Sequence, residues 1–347
     1  MNFNILSDED SKKVFIQTDE KKEIIKVLQY NEVSILKKFI KERKFDKKSF
    51  LYKNPFNEKY YDAIEPDILI YSIKNNNSFE VIQYIISLYQ SLNYFELYDC
   101  DIGQGQDFFL TPFLYSIIHK RYDIADLILE NGFEFTDKVK LDILGRKTIT
   151  IMDFLKNYGY LDEESLNYTS QKCFIFIKNY NFNNISLFIN SLKDNYVELF
   201  FTNALNNNVV FKGLHSYLKK EIQMNNNNFI EKILKYYFRK QKDNIKHYDD
   251  ELIKTAIECK NYRAIELFIE YHNNKIDEKR YIGHILELLN KNASEDRAKL
   301  FIDSITNHDL KNQVQDILLK NKNITQKRSD VIKLLKNDNL SELKKIC

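Results

Sequence analysis

Residue types that carry chemistry are present in this sequence, but their spacing fits neither a reaction nor a metal site. Metal ligation needs Cys or His at short fixed spacings, and neither Cys-x-x-Cys nor His-Glu-x-x-His occurs. The relevant residues are scattered singly, at His119, His215, His247, His272, His284, His308, Cys100, Cys173, Cys259 and Cys347. We therefore predict no catalytic residue, no metal site and no cofactor.

Gly103-Gln104-Gly105 is the one short glycine motif that could be compared with a phosphate-binding loop. Such a loop needs more glycines and a following Lys-Ser/Thr, or the strand and helix of a dinucleotide-binding unit. Neither accompanies this motif, so we interpret it as a plain turn. We predict that the chain is not an enzyme and has no small-molecule substrate.

The segment from Lys232 to Lys246 is basic and has interleaved aromatic residues. One interpretation is a surface for RNA or an acidic partner. The other is a helix whose aromatic side chains point inward while its lysines are solvated. The whole chain has 52 basic and 50 acidic residues and a net charge of +2, which favours the second interpretation. We expect no nucleic-acid partner.

Composition indicates a helical protein without a membrane segment. Only 7 Gly and 3 Pro occur among 347 residues, too few turn residues for an all-β fold of this length. No window approaches 18 uninterrupted apolar residues, and the first residues have neither the basic start nor the apolar stretch of a secretory signal. The single cysteines are typical of a reducing compartment. We expect a cytoplasmic protein with no membrane partner.

The segment Thr111 to Gly132 has the clearest periodicity in the chain. Apolar residues with the i, i+3, i+4 spacing of a half-buried helix lie on both sides of a polar break at 119–123. Thr111 is placed to cap the first helix, and Pro112 occupies its first position, where no N–H is needed. Gly132 is placed to adopt the left-handed conformation that ends the second helix. The segment therefore predicts two short antiparallel helices.

This pair of helices resembles one ankyrin repeat, whose unit opens with a Thr-Pro-Leu-His-x-Ala type helix and spans about 33 residues. Thr111, Pro112 and Gly132 match that pattern. Phe113-Leu114-Tyr115-Ser116 replaces the family's His and Ala, with Ser116 as the small residue. The resemblance implies units that bury their apolar faces by stacking on one another.

Degenerate versions of the same pattern occur along the chain. They have small residues at Ser72, Ala204 and Ala256, and polar breaks at 30–32, 74–77, 179–181, 206–208 and 292–294. We predict an all-α, ankyrin-like solenoid of stacked antiparallel helix pairs over residues 20–345, after a polar lead at 1–19. The pattern begins again at Val331, so we expect an array that is cut off within its last repeat at Cys347.

The resemblance implies a non-catalytic scaffold for protein–protein interaction, with a protein as its partner. Loops rich in aromatic residues suit binding hot spots at the edge of such an array. The candidate partner-binding residues are Tyr60, Tyr61, Tyr94, Phe95, Phe108 and Phe133. The alternative is that these aromatic side chains pack under their own loops.

Two other architectures stay open. A HEAT- or armadillo-like array has repeats of about 40–47 residues, and the breaks at Asn77 and Arg121 are 44 residues apart. A nucleic-acid-binding helical array would require a continuous basic groove.

Overall fold

The structure is a computed structural model that describes most of the chain. It describes residues 18–45, 67–99, 107–141, 146–238, 249–271, 278–292, 295–306, 308–319 and 329. The predicted polar lead, apart from residues 18 and 19, and the partial repeat at 331–347 lie outside this range.

The described chain is predominantly helical, which confirms the coarse prediction from composition. It divides into two compact units, residues 1–176 and residues 177–347. The prediction of one array over 20–345 stays a prediction, and each unit is described by itself. None of the described helices is both long enough and apolar enough to cross a membrane.

The first unit contains short helices arranged in consecutive pairs. They are α1 (Thr18–Leu28), α2 (Val33–Glu42), α3 (Ile68–Lys74), α4 (Phe79–Leu88), α5 (Pro112–Ile118), α6 (Tyr122–Glu130), α7 (Ile151–Asn157) and α8 (Glu163–Phe176). In the first three pairs each helix contacts its own partner. Successive pairs among these three also contact each other, so that α3 packs on α1 and α5 while α4 packs on α2 and α6.

Two β-hairpins connect these pairs. Strands β1 (Glu96–Asp99) and β2 (Asp107–Leu110) lie between α4 and α5, and β3 (Lys138–Lys140) and β4 (Thr148–Thr150) lie between α6 and α7. The hairpins join side by side through a β2–β3 pairing, which gives an antiparallel sheet in the order β1-β2-β3-β4. Segments that the sequence predicted as loops therefore contain strands.

The second unit repeats the stacking of helix pairs. Its helices are α9 (Phe182–Ser191), α10 (Asp194–Asn206), α11 (Leu214–Gln223), α12 (Asn227–Tyr236), α13 (Asp249–Glu258), α14 (Tyr262–Glu270), α15 (Glu278–Asn292) and α16 (Glu295–Ser304), followed by a helix over residues 308–319. Each helix from α9 to α14 contacts the helix two positions further along the chain, so that α9 packs on α11 and α14 packs on α16.

Strands β5 (Asn179–Asn181) and β6 (Val210–Lys212) precede α9 and α11 and pair in parallel, with Tyr180 opposite Phe211. The predicted polar break at 179–181 does lie between two helices, but it contains a strand instead of a tight turn. The preceding helix, α8, ends at Phe176. Within β5 the Tyr180 side chain points inward and is buried, while its two neighbours are exposed.

The turn within a pair is a helix stop with one residue in the left-handed conformation. At the end of α3, Asn76 has φ 52°, its N–H bonds Ile73 O at 3.1 Å, and the next N–H, that of Asn77, bonds Ser72 O at 3.0 Å. These two bonds define the Schellman motif, which satisfies the last carbonyl groups of a helix. Glycine is the usual left-handed residue, but within pairs the position is Asn or Lys at Asn31, Asn76, Lys120, Asn225 and Lys260. Lys44 and Asn208 are also left-handed and follow α2 and α10, at the ends of their pairs.

The segment 111–132 folds as its sequence predicts. Thr111 Oγ1 accepts a hydrogen bond from Leu114 N at 3.3 Å, and Pro112 is the first residue of α5. Gly132 has φ 90°, and Phe133 N donates to Ile128 O to close the motif. Ser116 is fully buried, as are the small residues Ser72, Ala204 and Ala256 of other repeats.

Candidate functional site

The structure places the predicted partner-binding aromatics mostly in the interior. Tyr60 and Tyr61 lie outside the described residues. Tyr94, Phe108 and Phe133 are buried, and Phe95 is half-buried. A buried side chain offers no surface to a partner, so Tyr94, Phe108 and Phe133 belong to the core of their unit rather than to a free edge.

Tyr94 has a definite structural role at the start of α3. Asp67 caps this helix, since its Oδ1 accepts from Leu69 N at 2.9 Å and Ile70 N at 3.1 Å. The Tyr94 hydroxyl donates to the same oxygen at 2.8 Å, and the Tyr89 hydroxyl donates to Oδ2 at 2.5 Å. Burial, together with the Asp67 charge, raises the pKa of Tyr89. The two tyrosines therefore satisfy a buried carboxylate.

Phe108 and Phe133 pack under the hairpins. The Phe108 ring lies 5.3 Å from Phe154 and 4.4 Å from Tyr158 of the α7 segment. The Phe133 ring stacks on Phe113 of α5 at 5.5 Å. Phe108 of β2 therefore packs against the following helix pair, and Phe133, which follows α6, packs against α5 of its own pair. This is the alternative that the sequence had left open.

Phe95 is the one described candidate with partial exposure. Its ring contacts Phe109 edge-on at 5.4 Å, and Lys140 Nζ lies 4.5 Å from the ring centroid. The partner-binding prediction for Phe95 stays a prediction.

The described part of the basic segment that starts at Lys232 has its aromatics inside. Tyr236, Tyr237 and Phe238 are buried, and Tyr237 contacts Phe201 and Phe211. This agrees with the inward-facing interpretation and leaves no aromatic platform there for stacking nucleic-acid bases. Residues 239–248 lie outside the described range.

A cluster of titratable groups lies between α6 and α8. Asp126 Oδ1 accepts from the Tyr168 hydroxyl at 2.6 Å and pairs with Lys172 Nζ at 2.6 Å. The Tyr168 ring packs on Tyr122 at 4.6 Å. Burial, followed by the charges of Glu164 and Asp162, raises the pKa of Tyr122 to about 12.

The pKa of Tyr168 is raised too, by burial first and then by its hydrogen bond to Asp126. Both phenols are therefore neutral at physiological pH, and neither is activated as a nucleophile or base. The cluster can orient and join two helices, and it lacks a poised proton-transfer group.

A second cluster lies between α12, α14 and α16. Glu266 is buried, and its Oε2 pairs with Arg263 Nη1 at 2.7 Å. Its Oε1 accepts from Thr306 N at 2.8 Å and Thr306 Oγ1 at 2.7 Å. Beside it, the Tyr271 hydroxyl donates to Glu231 at 2.9 Å.

The two clusters occupy the same place in the repeat. Each key residue lies six positions after a left-handed turn residue, and each contacts the next helix pair. Lys37 lies over the Tyr84 ring, Asp126 bonds Tyr168, Glu231 bonds Tyr271 and Glu266 bonds Thr306. The bonded partners are 40 to 42 residues apart in sequence. A contact that recurs at the same position of several repeats joins neighbours and does not mark a unique reaction centre.

Elsewhere in the described residues, titratable groups meet in small clusters, such as His215 and Lys219 beside Glu251. No group of His, Cys, Asp and Glu in the described residues could hold a metal ion. Of the described histidines, His119 has its pKa lowered, by burial first and then by the Lys74 charge. His284 Nε2 lies 2.8 Å from Asp250 Oδ1 on partly exposed surface.

The surface that sequence reasoning missed lies at the turns. Tyr30 precedes the left-handed Asn31 and is 67% exposed, and Phe79 follows Ser78 and is 37% exposed. Ser78 N donates to Asn31 Oδ1 at 2.7 Å, so the two turns that carry these residues are joined in one turn edge. The sequence signal that could have identified this surface is a large apolar residue directly next to a polar break.

Comparison of the chain with protein-family models, with curated proteins and with solved structures gives no match.

Proposed function

We propose that this chain is a non-catalytic repeat protein of the ankyrin type that acts as a scaffold for protein–protein interaction. Each unit would be a solenoid of stacked antiparallel helix pairs. The observation that carries the proposal is the contact of each helix with the corresponding helix of the next pair, among the first three pairs of the first unit and from α9 to α16 in the second. Repeat arrays bury their apolar faces in this neighbour-to-neighbour manner.

The ankyrin assignment has two further supports. The Thr111–Gly132 unit combines the Thr-Pro helix start, a buried small residue and a glycine stop in the family's order. The connections from α4 to α5 and from α6 to α7 are hairpins that join in one sheet, a side-by-side arrangement expected when equivalent connections of successive repeats stack.

A HEAT- or armadillo-type scaffold is the second candidate, and repeat length favours it. The left-handed turn residues Asn31, Asn76 and Lys120 are about 44 residues apart, within that family's range of about 40–47. Against it, α3 to α7 have only 7 to 10 residues each, and the additional length of these repeats includes the hairpins. Both candidates imply the same type of activity.

The proposed mechanism is presentation of a preorganised surface. The contacts from Asp126 and Glu266 join neighbouring pairs, so a partner would meet a surface that is already ordered. Preorganisation lowers the entropy lost on binding and so raises affinity. Exposed aromatic side chains such as Tyr30 supply contact area of the type enriched in hot spots.

The proposal is tested by capturing partners with the full chain after nuclease treatment and then measuring direct binding. Each recovered protein is purified, and its affinity is measured by calorimetry for wild type and for Tyr30→Ala. We expect saturable binding that weakens about tenfold or more in the variant, as for a hot-spot aromatic. Leu187→Ala is the control, because Leu187 is also an exposed apolar side chain but lies on α9.

Two results would overturn the scaffold role. One is that no recovered protein binds the purified chain directly. The other is that capture depends on nucleic acid and disappears with nuclease, which would favour the nucleic-acid-binding array. If Tyr30→Ala and Leu187→Ala lowered the affinity for the partner equally, the turn edge would not be the specific binding surface.

A further inference from the structure

Four successive turns of the first unit are joined by side-chain hydrogen bonds. The first link runs between the turn after α1 and the turn after α3. Asn31 Oδ1 accepts from Asn77 Nδ2 at 3.1 Å and from Ser78 N at 2.7 Å. Asn77 Nδ2 also donates to Leu28 O at 2.9 Å, with Asn77 almost fully buried.

The second link is made by Arg121, in the turn after α5. Its Nη1 donates to Asn76 Oδ1 at 2.9 Å and to Asn77 O at 2.8 Å. Its Nε and Nη2 donate to the two carboxylate oxygens of Asp123 at 3.1 and 3.0 Å. One side of the guanidinium group is therefore fixed by Asp123 of α6, and its Nη1 donates hydrogen bonds to the turn after α3.

The third link joins the α5 turn to the start of α8. Lys120 Nζ pairs with Asp162 Oδ2, while Asp162 Oδ1 caps α8 by accepting from Ser165 N at 2.8 Å. The pairing holds the pKa of Lys120 above its usual value. This link is exposed, so it is the weakest of the three.

We propose that Asn31, Asn76, Asn77, Arg121 and Asp162, with Lys120, form a polar spine that makes the turns of the first unit open together rather than one at a time. The polar spine is a conformational device, and its existence does not depend on the scaffold role. Bonds that share groups strengthen one another, because each fixes the donor or acceptor that the next one needs. Asn31 and Arg121 do not touch, yet both act on the 76–77 pair.

The proposal makes a prediction about distance. Loss of the Asn31 side chain should increase opening at the Arg121 turn, two turns away along the array. If each bond acted only locally, the effect would end at Asn77 and Ser78. Transmission in the reverse direction should be equal, since coupling free energies are reciprocal.

Asn31→Gly is the most informative variant, because glycine keeps the left-handed backbone without strain and removes only the side chain. Lys44→Gly is the matched control. Lys44 is also left-handed, in the same unit, and its side chain is exposed and outside the polar spine. Hydrogen exchange of the full chain is followed by mass spectrometry in peptides that cover residues 75–79 and 119–124.

We expect Asn31→Gly to speed exchange in both peptides by about five- to tenfold, the effect of losing one net hydrogen bond. Lys44→Gly should leave both unchanged or slower. Acceleration confined to 75–79 would overturn the proposal. Arg121→Gln provides the reverse test, with faster exchange expected at residues 30–33. If either variant lost its helical circular dichroism, Asn76→Gly, which removes one of the two acceptors of Arg121 Nη1 but keeps the backbone, would decide between the outcomes in the same peptides.

Discussion

Asp126 in the first unit and Glu266 in the second occupy the same position of the repeat but differ in their exposure to water. Each lies six residues after a left-handed lysine, and each accepts a hydroxyl hydrogen bond from the next helix pair. The Asp126 side chain is 44% exposed, whereas the Glu266 side chain is 2% exposed. One repeat position therefore holds a solvated carboxylate in one unit and, in the other, a buried carboxylate paired with a partly exposed arginine.

This difference changes the energetics of a shared contact. Water screens Asp126, so its pairing with Lys172 contributes little to folding. Glu266 has lost its hydration, and Arg263 together with Thr306 must replace it. Removal of one partner from a buried pair leaves a desolvated charge, which is costly even where the intact pair itself adds little.

The largest predicted effect separates these two carboxylates. Arg263→Met should lower the free energy of unfolding by about 3 kcal/mol, because Glu266 then stays buried without its counter-ion. Lys172→Met should lower it by less than about 1 kcal/mol. Urea unfolding followed by circular dichroism measures both, since the chain has no tryptophan to report by fluorescence. Equal losses in the two variants would contradict the role given to burial.

The turn asparagines provide a finer comparison. Asn261 Nδ2 donates to Ile222 O at 3.0 Å, and its Oδ1 caps α14 through Ala264 N at 3.1 Å. Asn77 makes the corresponding bond to Leu28 O, but Ser78 is the residue that caps α4. Asn261→Ala therefore loses a cap and a bond between pairs, while Asn77→Ala loses bonds to the preceding pair only.

We expect Asn261→Ala to cost about 2 kcal/mol and Asn77→Ala about 1 kcal/mol in urea unfolding. Asn261→Ser separates the two contributions, because serine can still cap the helix but does not reach Ile222 O. Its cost should lie between those of wild type and Asn261→Ala. A serine variant as unstable as the alanine variant would show that the cap adds nothing.

Glycine at the left-handed lysines should stabilise the protein. A non-glycine residue pays about 1 kcal/mol or more in this conformation, so Lys260→Gly should raise the free energy of unfolding by about 1 kcal/mol. Lys120→Gly should give a smaller gain, because it also loses the pairing with Asp162. Thermal unfolding of both variants measures the order, and a larger gain from Lys120→Gly would contradict the contribution of that pairing.

Sequence periodicity predicted the helices of 111–132 because local signals agreed there. Thr111, Pro112 and Gly132 each act through their own backbone, and such effects can be recognised in a single segment. The left-handed residues at Lys120 and Lys260 could not be recognised in this way, because lysine has no preference for that conformation and only the surrounding repeat imposes it.

The strands and the placement of the aromatics required information from distant segments. β5 exists because β6 pairs with it 31 residues later, and nothing near Asn179 reveals that partner. Phe108 and Phe133 lie in loops by sequence, yet they fill space beneath the hairpins that only the stacked pairs create. Aromatic residues in a loop are compatible with both exposure and burial until the neighbouring repeat is known.

The smallest predicted effect concerns His119 and pH. His119 precedes the left-handed Lys120, and Cys259 holds the same place before Lys260, so only the first unit has a titratable imidazole at this position. Burial and Lys74 lower the pKa of His119 below 6.5, so the unfolded chain takes up the proton first as pH falls. Stability contributed by the neutral histidine is therefore present above about pH 6.5 and is lost progressively below it.

His119→Gln removes this titration and leaves every other group in place. We expect wild type to lose more stability than His119→Gln between about pH 7.5 and about pH 5.5, as measured by urea unfolding at each pH. Subtracting the free energy of unfolding of the variant from that of wild type at each pH cancels the contributions of all groups that the two proteins share, and leaves that of the histidine. A constant difference across this range would mean that the folded protein accepts the proton at His119 as readily as the unfolded chain does. Burial of His119 would then contribute no pH-dependent stability, and in this respect the turn at Lys120 would not differ from the turn at Lys260, where Cys259 holds the same place.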